Sequence, residues 1–126
     1  MRALLLAAPV LGAAIPLALG AGPAPSPQIA EGARLYAEHC ALCHGADGRR
    51  GEGFQTPIWG ERTQIRKFNT AFGLFEYNQM LMPFDDPSKL TDEQKWAVVA
   101  YILANHGTIP RDATLDPAQA KNIPIR

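Results

Sequence analysis

Cysteine is scarce in this chain of 126 residues: Cys40 and Cys43 are the only two, beside three histidines. With no third cysteine, a structural zinc site would have to complete its ligand set from His39, His106 or carboxylates, and none of these stands in the paired spacings such sites use. A surplus of charge is also lacking. Twelve Lys and Arg face twelve Asp and Glu, and loss of an N-terminal leader would remove only Arg2, so neither nucleic acid nor an anionic membrane surface is indicated as a partner. Strand-like alternation is missing throughout, as are internal repeats and any low-complexity tract beyond the Pro, Ala and Gly of residues 21–27. The apolar run at residues 3–19 is uncharged but broken by Pro9 and Pro16, too short and kinked for a good bilayer span.

What is present is a compact motif, Cys40-Ala41-Leu42-Cys43-His44. On a turn of helix, residues three and four apart share a face, so two thiols and an imidazole address one flat ligand. This spacing is the attachment signature of a c-type haem. The thiols would become thioethers to the haem vinyls, and His44 would be the proximal iron ligand. A thioredoxin-like redox pair would need a strand and helix alternation around it, and a structural disulfide would leave His44 unexplained.

Residues 1–20 read as a secretory leader, with cleavage able to follow Gly20 because Ala18 and Gly20 are small; an uncleaved anchor is the alternative. Export suits the motif, since neighbouring thiols meet a different fate in a reducing cytoplasm. The expected compartment is a bacterial periplasm, with no stable membrane span. Residues 21–27 form a linker, and about a hundred residues remain, enough for one small domain. Such a chain buries little apolar surface alone, so the haem is expected to supply much of the core and the apo chain to be largely unfolded.

Three main helices are expected, in an all-α fold with long loops. The first begins at Ser26, an N-cap, with Pro27 in the first helical position, and runs through Ile29, Ala33, Tyr36 and Ala37 into Cys40. Gly32 inside it costs about 1 kcal/mol against alanine, and a close helix crossing there is the economical explanation. The last is announced by Thr91-Asp92-Glu93-Gln94, a capping box, and closes at Asn105-His106-Gly107. Between them, residues 70–80 carry Phe72, Leu74, Phe75 and Tyr77 at helical spacing and end ahead of Pro83, which keeps Met82 out of helical geometry.

With these features in order, residues 28–107 resemble the class I cytochrome c family: Gly32 and Tyr36, then Cys40-x-x-Cys43-His44-Gly45, Pro57, Met82-Pro83, and Leu90-Thr91-Asp92-Glu93-Gln94 leading to Val98-Val99-Ala100-Tyr101-Ile102. The resemblance implies a cytochrome c fold around one covalently bound haem, the first and last helices crossing near Gly32 and Tyr101. It implies that the Pro57 carbonyl accepts the proton on the far nitrogen of His44, fixing the ring. It also implies Met82 as sixth iron ligand, because similar proteins place their sulfur in this Met-Pro setting. Met80 is the rival, with core filling as its ordinary role. His106 suits the negative end of the last helix as a capping charge, and His39, next to Cys40, does not readily reach the other haem face.

A thioether opposite imidazole raises the potential and closes the last iron position. The expected role is therefore a non-enzymatic carrier of single electrons, from a periplasmic dehydrogenase to a downstream cytochrome or terminal oxidase. The alternative is a haem enzyme or ligand sensor whose sixth position is open or labile. Residues 77–109 are similar to cytochrome subunits of periplasmic sulfur-compound dehydrogenases, including sulfite dehydrogenases, which makes a molybdenum-dependent sulfite dehydrogenase one donor to expect. Residues 108–126 hold three prolines and no helical repeat; they read as an extended tail, either a strap over the surface or a partner-contact arm presenting Ile123 and Ile125 beyond a domain closed at Gly107. Arg49, Arg50, Arg62, Arg66 and Lys67, against Glu52 and Glu61, are either solvated loop charges or a patch that steers an acidic partner.

Overall fold

Ser26 starts the first helix as its chemistry predicts: in extended geometry, its hydroxyl accepts from the Ile29 amide at 3.2 Å, and α1 runs Pro27–His39 with proline in its first turn. This computed structural model describes residues 22–126 together with Gly12 and Gly20. The expected leader, Gly12 and Gly20 aside, lies outside the described residues. After α1 come a single turn α2 (Ala41–His44), α3 (Ala71–Leu81) and α4 (Asp92–His106), with 3-10 turns at Ile65–Phe68, Pro87–Lys89 and Pro117–Asn122. Thr70 caps α3 through the Gly73 amide at 3.2 Å. The Thr91 and Gln94 side chains exchange reciprocal bonds at the start of α4, and Gly107 ends it in the left-handed conformation at φ 84°. No strand forms among the described residues; an isolated bridge joins Thr70 and Pro124. No helix among them is long and apolar enough to cross a membrane.

α4 is the central element, buried from Lys95 to Ala100 and at Ile102 and Leu103. α1 crosses it where Gly32 lies: a Cβ there would land on the Ala97 carbonyl and within 2.9 Å of Tyr101 Cβ. The glycine is thus the contact itself, since any side chain would force the helices apart. α3 packs on α4 through Phe75, stacked on Trp96 with ring centroids 3.8 Å apart. It buries Ala71, Leu74, Phe75 and Asn78, while Phe72 and Tyr77 are half-buried. Tyr36, Trp59 and Tyr101 form an aromatic triangle with centroids 5.2 to 5.7 Å apart, tying the loop after the haem motif to the crossing.

The chain after Gly107 corrects the expectation of a domain already closed there. Leu115, Ala120 and Ile125 are buried, and the tail folds back over the N-termini of α1 and α3. Gln28 pairs with Leu115 through both amide groups, at 2.7 and 3.1 Å. Ser26 N–H donates to Arg111 O, Ala71 N–H to Ile123 O and Ile125 N–H to Asn69 O. These bonds occupy amides at two helix starts that have no intrahelical partner. The tail thus packs on the domain, and Ile125 belongs to the core instead of to an arm.

Candidate haem-attachment site

Cys40 is the joint between α1 and α2. Its amide still donates to Tyr36 O at 2.9 Å, and its carbonyl accepts from His44 N at 2.9 Å, so Cys40, Cys43 and His44 share one helical turn. The turn is closed by Gly45, at φ 85° in a conformation that L side chains rarely adopt. The buried Tyr36 hydroxyl donates to the Gly45 carbonyl at 2.7 Å and locks that closure to α1. The following loop returns upon the motif: Glu52 N–H donates to Leu42 O and Phe54 N–H to Cys43 O, both at 2.9 Å. At Gly53 a Cβ would come within 2.9 Å of Cys43 Sγ, so glycine lets the loop pass beneath the sulfur without covering it. Cys43 is exposed, Cys40 half-buried, and both are free thiols.

Burial pushes the Cys40 thiol up to about 11, with Cys43 adding to the shift, so it is protonated at neutral pH. Burial lowers the pKa of His44 and keeps the imidazole neutral, the form that ligates metal. The His44 ring meets Phe54 edge-on at 5.3 Å. Its Nδ1 is buried and has no hydrogen-bond partner, so the expected bond to the Pro57 carbonyl is not made in this structure. Two free thiols and an imidazole on one helical turn, with a glycine beside the Cys43 sulfur, fit covalent haem. No group of three or more His, Cys, Asp or Glu among the described residues suits a bare metal ion.

Met82 follows α3 in extended geometry (φ −123°, ψ 141°), half-buried, with its amide donating to Asn78 O at 3.0 Å and a cis bond to Pro83. It stands on a different element from Cys40 and His44, and no hydrogen bond joins it to their turn. Met80 is 65% exposed, which corrects its expected core-filling role: on α3 the inward face belongs to Leu74, Phe75 and Asn78. His106 is also corrected. It is a brace and not a capping charge, its Nδ1 accepting from Gly60 N–H at 3.1 Å and its Nε2 donating to the Arg126 carbonyl at 2.7 Å. His39 lies beside Glu38 at 3.5 Å. Sequence reasoning missed the exposed apolar residues Leu42, Phe54 and Phe84; the readable signal was apolar side chains inside or beside the haem motif and directly after Met82-Pro83.

The family model for cytochrome c oxidase, cbb3-type, subunit III matches residues 27–102. A thiosulfate dehydrogenase of Stutzerimonas stutzeri (strain A1501) is 35% identical over 104 residues, covering 72% of this chain and 32% of that protein. A thiosulfate dehydrogenase of Allochromatium vinosum is 30% identical over 101 residues, covering 71% of this chain and 36% of the relative. The chain therefore spans about a third of the length of these curated relatives. The crystal structure of the sulfane dehydrogenase SoxCD from Paracoccus pantotrophus superposes with a TM-score of 0.67 at 20% identity, over 86% of this chain and 68% of that one, a likeness of fold. With the attachment turn, the Gly32 crossing and the capped α4 all inside the matched span, this chain belongs to the cytochrome c family of the cbb3-type subunit III model and carries haem c covalently.

Proposed function

We propose that this protein is an exported one-electron carrier or electron-transfer module that serves a sulfur-compound dehydrogenase, with Met82 as the sixth iron ligand. The observation that carries the reading is the Cys40–His44 turn, clamped at both ends by the Tyr36 and Phe54 bonds and presenting free thiols beside a neutral imidazole. Haem c, held by Cys40, Cys43 and His44 with Met82 as its further ligand, would supply a one-electron couple. The chain's own residues do the rest. Cys40 and Cys43 fix the cofactor to α1 and α2, and the Gly32 crossing holds those helices rigid on α4, so little geometry needs to change when charge does. Phe84, exposed just after Met82-Pro83, is an apolar residue of the kind that makes small, short-lived contacts.

The donor in this proposal is a dehydrogenase of sulfur compounds, supported by relatives named thiosulfate dehydrogenase; a molybdenum-dependent sulfite dehydrogenase is the finer form. The acceptor is a cytochrome or terminal oxidase, and the compartment is the periplasm, where thioether attachment and export of residues 1–20 are compatible. The basic loop residues Arg49, Arg50, Arg62 and Arg66 are all exposed and favour an acidic partner. A second reading, an enzyme or sensor with an open or labile sixth position, draws on the same relatives, whose names are those of enzymes. One experiment separates the two. The oxidised holoprotein should show the weak red-edge sulfur-to-iron band, Met82→Ala should abolish it, and the unmodified ferrous protein should bind carbon monoxide slowly; rapid binding supports the second reading.

A further inference from the structure

α3 ends one residue before Met82, and like every helix it leaves the carbonyls of its last turn without intrahelical partners. Asn78 O is taken by the Met82 amide. Gln79 O, the next, accepts from the Lys95 ammonium at 2.8 Å, reached from the first turns of α4. Lys95 is 3% exposed, a placement that lysine almost never takes without a partner. The Gln79 side chain adds a second tie, its Nε2 donating to Asp92 Oδ2 at 2.9 Å. Burial lowers the pKa of Lys95, opposed by Asp92 and Asp86, so the fold bears a penalty that an apolar side chain of the same length would avoid. What the ammonium supplies is a donor and a positive charge at the negative end of α3.

We propose that Lys95 is a positioning residue for the sixth iron ligand: by pinning the Gln79 carbonyl it holds the last turn of α3 against α4 and fixes the backbone from which Met82 reaches the iron. The inference rests on the reading of Met82 as that ligand. Helix ends fray, and the Gln79 carbonyl lies three residues ahead of Met82, within the turn whose fraying would carry the methionine with it. Packing alone does not require lysine, because Trp96 stacked on Phe75 already joins the two helices. The charge therefore acts on the end of α3 and not on the helix pair as a whole.

The test compares holoprotein carrying Lys95→Met, Lys95→Arg and Met82→Ala, with the red-edge sulfur-to-iron band and imidazole binding to the oxidised protein as readouts. Lys95→Met should weaken the band and bind imidazole at least about tenfold more tightly, the scale seen when partners of metal ligands are removed. Lys95→Arg, which keeps a donor and a charge, should restore both readouts. A Lys95→Met protein with a full band and imidazole affinity within about twofold of the parent, while Met82→Ala loses the band, overturns the role of Lys95 alone. A band that survives Met82→Ala overturns the ligand assignment and this inference with it. Should Lys95→Met not accumulate as holoprotein, Lys95→Gln, which keeps a polar head but lacks the reach, is judged by the same criteria.

Discussion

The crossing of α1 over α4 and the turn that bears the two cysteines are neighbours in the chain but opposite in character. At the crossing, Gly32 lets backbone meet backbone, Leu35, Val99, Ala100 and Leu103 are almost wholly buried, and the tail covers the start of α1, its Leu115 amide donating to Gln28 and its Arg111 carbonyl accepting from the Ser26 amide. At the cysteine turn, Cys43 and Leu42 face outward, Phe54 is partly exposed, and a buried imidazole nitrogen has no partner. One region is satisfied by protein atoms alone; the other offers two thiols, an imidazole ring and apolar surface to something that is not protein. Stability and function are thus written into different faces, with Tyr36 as the link between them: its ring packs on Tyr101 at the crossing while its hydroxyl holds Gly45.

Mutations should separate the two faces. The largest effect is expected at Gly32→Leu, which has no room beneath the Ala97 carbonyl and should cost more than about 3 kcal/mol, so that no stable holoprotein accumulates. Spectra of a purified variant with the parent's melting temperature would contradict the close crossing. Leu115→Ala should come next, at about 2–4 kcal/mol by thermal or denaturant unfolding, because it opens a cavity under the strap. A tail that served only as a partner arm would show almost no loss. Tyr36→Phe deletes one buried bond and should lower stability by about 1–2 kcal/mol, leaving Gly45 O without a partner.

Tyr36 also sharpens the comparison through pH. Burial raises its phenol well above the ordinary tyrosine range, so the folded state favours the neutral form. The stability this contributes is fully present below the unfolded value of about 10 and is lost as pH rises from there through the folded value. Alkaline titration of unfolding should therefore show a decline beginning near that unfolded value, and Tyr36→Phe should flatten it.

Much of this was legible in the residues. Ser26 with Pro27, and the Thr91 and Gln94 pair, mark helix starts through groups that only a helix end requires, and each stands where it was expected. Gly32 announced the crossing because a glycine in an otherwise good helix needs a steric reason. The attachment turn was legible because its spacing is its chemistry. The tail was not, since 3-10 turns and extended straps have no period, and the Gln28 pairing with Leu115 spans most of the chain. Met80 and His106 were misjudged for a related cause: residue type suggests a role, but only the register of α3 and the return of the tail decide which way each side chain faces.

The central claim is that haem is attached through Cys40 and Cys43. Intact-mass measurement of the protein, made in cells able to attach haem c, tests it most directly. The account predicts the polypeptide mass plus one haem, retained under denaturing conditions and lost in the Cys40→Ala, Cys43→Ala double variant, whose helical circular dichroism should also collapse. Bare polypeptide mass in the parent, or a native helical spectrum in the double variant, would contradict it.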